Sequence, residues 1–150
     1  MRYSCLLVAL VLFSAAPASF AANCTATVEA NDAMQFSTEH IEVSQSCETF
    51  KVVLKHVGDL SLQAMGHDWV LSETNDMWDV VNAGNTAGVD NGYVKPGDER
   101  VIAATDLIGG GEQTSTTFDP SKLEKGGDYS FYCTFPGHAS QMKGELVVVE

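Results

Sequence analysis

Cys133, His138 and Met142 stand within ten positions of one another, in Cys133-Thr134-Phe135-Pro136-Gly137-His138-Ala139-Ser140-Gln141-Met142. A soft thiolate, one imidazole from this loop, a second imidazole from elsewhere and a weak axial thioether are the donor set of a blue-copper electron-transfer centre. The spacing has its own logic. Phe135-Pro136-Gly137-His138 has proline where a type II turn wants a fixed φ and glycine where it needs a positive one, so the turn folds His138 back beside Cys133. Met142 follows His138 by four residues, the separation at which one helical turn sets two side chains on the same face. The second imidazole must come from His40, His56 or His67. His67 is the best placed, because Gly66 before it allows close backbone approach and leaves a bare carbonyl near the metal.

The neighbouring residues carry a resemblance. Met65-Gly66-His67-Asp68-Trp69-Val70-Leu71, Leu107-Ile108-Gly109, Cys133-Thr134-Phe135-Pro136-Gly137-His138, Met142-Lys143-Gly144 and the pair Cys24 and Cys47 are similar to the azurin family of blue-copper proteins, from about Ala22 to the C-terminus. The resemblance implies a cupredoxin-like Greek-key β-sandwich, all-β, with one short helical insertion. It implies one type 1 copper per chain held by His67, Cys133 and His138 in a trigonal plane, with Met142 and the Gly66 carbonyl as distant axial contacts. It also implies a Cys24–Cys47 disulfide, which closes a loop worth roughly 3 kcal/mol in the chain-entropy model. Electrons would enter and leave through His138, across a patch formed here by Leu60, Ala64, Met65, Pro136, Gly137 and Ala139. The implied partners are periplasmic redox proteins such as c-type cytochromes or a terminal reductase. His56 resembles a position that packs beside the copper. Asp68 departs from the pattern, in which asparagine ties the two ligand-bearing loops together.

Taken singly, these residues are bland. A lone His67 reads as a loop or core histidine, a lone Met142 as packing, and Cys133 between Phe131 and Phe135 as an inert buried thiol. Their joint occurrence at this spacing is what points to a metal.

The N-terminus reads as an export signal. Arg2 is followed by an apolar run over 6–13 and a small-x-small site at Ser19-Phe20-Ala21, predicting a cleaved signal peptide over 1–21 and a periplasmic mature chain over 22–150. The apolar run falls short of the roughly 20 residues of a membrane span, so no membrane anchor is expected. Cys5 leaves with the leader. Of the remaining Cys24, Cys47 and Cys133, two should pair in an oxidising compartment, and a metal is a suitable occupant for the third. Removing Arg2 leaves 8 − 1 = 7 basic residues against 20 acidic ones, a balance of −13. That balance argues against a nucleic-acid partner.

The elements needed to position the donors are legible as strands. Over 50–57, Phe50, Val52 and Leu54 share one face while Lys51 and Lys55 share the other. Similar runs occur at 100–108, 128–135 and 145–149, with turns at Lys95-Pro96-Gly97-Asp98, 109–111 and 125–127. Several short strands so punctuated predict one β-sandwich domain. Between Ser72 and Gly88, Met77, Val80, Val81 and Gly84 recur at helical spacing, with Ser72 or Thr74 as the expected N-cap. Trp69 is expected in the core and Trp78 on the surface.

Two other functional classes compete. A cysteine hydrolase needs an imidazole free to act as base and a third group to orient it, and Met142 has no role there. A copper enzyme needs a second, open site, for which only two histidines remain, so the chain reads as an electron carrier and not an enzyme. A periplasmic copper carrier or storage protein is the alternative, although its methionines do not cluster.

Overall fold

The alternation over 50–57 forms a strand whose Phe50, Val52, Leu54 and His56 point into the protein. The computed structural model describes residues 23–150, so the expected signal peptide lies outside the described residues. In chain order the strands are β1 (Thr25–Asn31), β2 (Gln35–Phe36), β3 (His40–Ser44), β4 (Phe50–His56), β5 (Val70–Glu73), β6 (Ala103–Ala104), β7 (Gln113–Phe118), β8 (Tyr129–Tyr132) and β9 (Lys143–Val149). They form two sheets, ordered β2-β1-β4-β7 and β3-β9-β8-β5-β6. The β1–β4 and β3–β9 pairs are parallel and the others antiparallel, so the chain crosses repeatedly between sheets.

The inward faces of both sheets meet in one core. Trp69 stacks on Phe131 with ring centroids 5.7 Å apart, and Phe50 packs on Phe118 at 5.6 Å. Trp69 is fully buried and Trp78 half exposed, as the sequence predicts. The disulfide joins Cys24 to Cys47 with Cα atoms 5.7 Å apart, tying the start of β1 to the loop before β4.

Two helical pieces lie outside the sheets. A single turn, α1 (Leu62–Met65), precedes Gly66, and α2 (Met77–Ala87) buries Met77, Val80, Val81 and Gly84, the four residues expected to face inward. The expected capping is wrong. Ser72 lies within β5, where it accepts from the Tyr132 hydroxyl at 2.9 Å, and the Thr74 hydroxyl donates to Asp128. A 3-10 turn over Thr74–Asp76 leads into the helix, and Asp76 caps it without a side-chain bond. The run over 100–108 also shrinks, to the two residues of β6. Arg100 is drawn into the preceding turn, where its amide and guanidinium bond the Asp98 carboxylate.

Candidate metal centre

Two loops at one end of the sandwich deliver the donors. β8 ends at Tyr132, and Cys133 follows with its N–H donating to the Met142 carbonyl at 3.0 Å. Phe135-Pro136-Gly137-His138 then turns as predicted. Gly137 has φ 88° and ψ −14°, and the His138 N–H donates to the Phe135 carbonyl at 3.0 Å, the signature of a type II turn. A short 3-10 turn follows, and the Met142 N–H returns to the His138 carbonyl at 2.8 Å. Met142 is fully buried. On the second loop, His67 is fixed by paired backbone bonds with Ile108, both 2.9 Å. Gly66 is required for space, since a Cβ there would come within 2.7 Å of the Leu62 carbonyl and 3.0 Å of the Phe135 ring.

The donors converge. Cys133 Sγ lies 3.8 Å from His67 Nδ1 and 3.6 Å from His138 Nδ1, and one ligand atom from each residue lies within 4.8 Å of the others. All three residues are buried. An ion about 2.0–2.3 Å from nitrogen and sulfur donors in one plane would hold each nitrogen roughly 3.7 Å from the sulfur, so the donors are spaced to fit a metal. The tautomer of His67 agrees, because its Nε2–H donates to the Asn31 carbonyl at 2.9 Å and leaves the Nδ1 lone pair facing the sulfur. Burial holds the His67 pKa down at about 4 and lowers that of His138, so both rings stay neutral around pH 7. Burial pushes the Cys133 thiol well above its ordinary value. A bound cation would supply the charge that favours the thiolate form of Cys133.

Asp68 ties the two ligand loops together. Its fully buried carboxylate accepts the Thr134 N–H at 2.6 Å and also the Thr134 hydroxyl. His56 packs against His67 with ring centroids 4.5 Å apart, and both its nitrogens are engaged: Nε2–H donates to the Met65 carbonyl at 2.8 Å, and Nδ1 accepts the Gly58 N–H at 3.1 Å. His40 is remote on β3, exposed and bonded to Glu145.

The chain matches the family of copper binding proteins described as plastocyanin/azurin over residues 22–149. It belongs to that family. It is 53% identical to Azurin-1 of Alcaligenes xylosoxydans xylosoxydans over 129 residues, covering 86% of this chain and 100% of that protein. It is 52% identical to the azurin of Pseudomonas fluorescens biotype A over 127 residues, 85% of this chain and 99% of the other. The solved azurin Az-iso2 of Methylomonas sp. strain J superposes with a TM-score of 0.83 at 46% identity, covering 86% of this chain and all of that one. The fold is therefore the cupredoxin sandwich, and the His–Cys–His group is a site for one type 1 copper.

The expected surface patch needs one correction. Leu60, Ala64, Pro136 and Gly137 are exposed and Met65 is partly so, but Ala139 is only 3% exposed. Ala139 belongs instead to the apolar cluster of Val70, Met77, Val80, Val81 and Tyr132 beneath α2. Sequence reasoning missed Asn31, whose contribution is a backbone carbonyl and leaves no side-chain signal. It also missed Tyr93, held at φ 57°, whose ring meets Phe135 edge-on at 5.5 Å while Phe135 packs on His138 at 4.6 Å.

Proposed function

We propose that the mature chain, residues 22–150 after loss of a signal peptide over 1–21, is a periplasmic blue-copper electron carrier. In this reading His67, Cys133 and His138 would hold the metal, and Met142 and the Gly66 carbonyl would be its weaker contacts. The chain shuttles single electrons between redox proteins such as c-type cytochromes and a terminal reductase. The observation that carries the reading is the buried meeting of one thiol and two neutral imidazoles, spaced for one ion.

Copper supplies a Cu(II)/Cu(I) couple when bound; the chain's own residues supply the frame. The Asn31 carbonyl orients His67, the Met142 carbonyl anchors Cys133, and Asp68 clamps one loop to the other. Donors held this way have little freedom to rearrange, which favours a small reorganisation energy on gain or loss of an electron. His138 offers the exit. Trp69 Nε1 is the one fully buried side-chain nitrogen or oxygen without a partner among the described residues, and His138 Nε2 has no hydrogen-bond partner, so that edge reaches solvent. Around it, Leu60, Ala64, Met65, Pro136 and Gly137 form a largely uncharged docking patch of the kind suited to weak, transient contacts.

The test is spectroscopic. Copper-loaded protein should be intensely blue, and Cys133→Ser should abolish the colour, because the absorption comes from thiolate-to-copper charge transfer. An unchanged spectrum in the variant would overturn the assignment.

A further inference from the structure

We propose that Asn91-Gly92 is a site of spontaneous covalent modification, at which the folded protein loses the Asn91 side-chain amide through a cyclic imide and becomes aspartate or isoaspartate at that position. The only other reactant is water. The inference stands apart from the electron-carrier reading, since it needs neither a metal nor a partner.

The chain has one asparagine followed by glycine. Asn23, Asn31, Asn75, Asn82 and Asn85 precede Cys24, Asp32, Asp76, Ala83 and Thr86, whereas Asn91 precedes Gly92. Without a side chain at the next residue, the backbone nitrogen is open to close approach. Asn91 is exposed and ends a 3-10 turn over Val89–Asn91. That turn is closed by bonds from the Asn91 N–H to the Gly88 carbonyl at 3.1 Å and from the Gly92 N–H to the Val89 carbonyl at 2.9 Å. Short turns of this kind, exposed and packed on little, open locally at small cost. Opening frees the Gly92 nitrogen to attack.

The step balances without a redox partner. A bond forms between the Gly92 nitrogen and Asn91 Cγ, the Cγ–Nδ2 bond breaks, and Nδ2 leaves as ammonia with the proton from Gly92. Water then opens the ring. Attack at the side-chain carbonyl gives aspartate, and attack at the backbone carbonyl gives isoaspartate.

The turn is built so that this change is felt. Asn91 Nδ2 donates to the carbonyl of Ala87 at 2.9 Å, the last residue of α2, and so satisfies a group that a helix end leaves unpaired. A carboxylate cannot donate, and it sets a negative charge beside Asp90 and at the negative end of the helix dipole. Isoaspartate also lengthens the backbone just before Gly92 and Tyr93, two residues held in the left-handed region at φ 58° and 57°. Tyr93 packs its carbonyl against Gly84 and its ring against Phe135, which in turn meets His138. Modification at position 91 therefore loosens Tyr93 from Phe135.

The experiment incubates copper-loaded mature protein at physiological temperature in mildly alkaline buffer and maps it by peptide mass spectrometry, with isoaspartate scored by isoaspartyl methyltransferase. Conversion should appear at Asn91 well before Asn82 and Asn85, which are exposed on α2. Asn91→Gln, whose longer side chain disfavours the ring, should lose it. Gly92→Ala should lose it too, because the added Cβ crowds the attacking nitrogen while meeting nothing closer than Leu107 Cβ at 3.6 Å. The aged form, separated by anion exchange, should show shifted amide resonances for Gly84, Tyr93 and Phe135, and Asn91→Asp should reproduce the part of that shift due to charge. Conversion no faster at Asn91 than at Asn82 or Asn85, or unchanged in Gly92→Ala, would overturn the site. So would an intact Asn91 over a time in which a free peptide of residues 88–95 converts. An aged form whose Tyr93 and Phe135 resonances match the parent's would overturn the loosening.

Discussion

Asp68 is the residue on which the geometry of the two ligand loops depends most directly. Burial raises its pKa to about 6, while the Thr134 hydroxyl and amide that donate to it pull the other way. Asp68→Ala would strand both donors in the interior, each worth about 1–3 kcal/mol when unsatisfied. We expect a loss of roughly 2–4 kcal/mol in urea unfolding of the metal-free protein. Asp68→Asn keeps an acceptor for the Thr134 amide, and the hydroxyl can reverse to meet the remaining group, so that variant should stay within about 1 kcal/mol of the parent. A similar loss for both would mean that the charge, and not the tie, stabilises the loops. The tie was legible from the resemblance, but its partner Thr134 lies 66 positions away and emerged only from the folded loops.

At the scale of elements, α2 and the segment after it set the position of Tyr93. Gly84 sits where a Cβ would overlap the Tyr93 carbonyl oxygen. Alanine would favour the helix by about 1 kcal/mol over glycine, but overpacking typically costs about 1–3 kcal/mol. Because the obstacle is backbone, the second effect should win. Gly84→Ala should lower the denaturation midpoint, whereas Asn85→Ala on the exposed face should raise it slightly. A raised midpoint for Gly84→Ala would show that the 93–94 backbone gives way freely.

The turn after this segment predicts an acid limb in stability. Asp98, with its side chain 5% exposed, bonds the Arg100 Nε at 2.8 Å and Nη2 at 2.6 Å, and these bonds lower its pKa from 3.8 to about 2. A carboxylate depressed on folding contributes stability that is complete above its unfolded pKa and lost as pH falls through the folded one. The window here is therefore about pH 4 to pH 2. Asp98→Asn should be less stable than the parent at pH 6, and the difference should close as pH approaches 2; a gap unchanged at pH 2 would assign the effect to packing.

For the whole molecule, the disulfide is a separate source of stability from the core. Cys24 and Cys47 are 23 residues apart, and Cys133 is buried and unpaired. Oxidised metal-free mature protein should show one titratable thiol in denaturant and three after reduction. Cys24→Ser/Cys47→Ser should lose roughly 3 kcal/mol of unfolding free energy while keeping the copper spectrum, because the bond lies at the end of the sandwich opposite the ligand loops. Loss of colour in that variant would mean that the two ends fold as one unit.

The sequence by itself determined what depends on local order. A type II turn needs proline and glycine in adjacent places, so the fold-back from Phe135 to His138 could be read directly, as could the inward stripe of α2 and the alternation of β4. The matching motifs carried the donor set, the sandwich and the disulfide. Tertiary structure decided whatever depends on meetings between distant segments. It placed Ala139 beneath α2 and off the surface, replaced the expected helix cap with strand and cross-strand bonds, and shortened the 100–108 run by turning Arg100 onto Asp98. It also recruited Asn31 through a carbonyl that every residue possesses. Backbone groups are chemically alike along the chain, so only the register between loops can say which of them meets a given side chain.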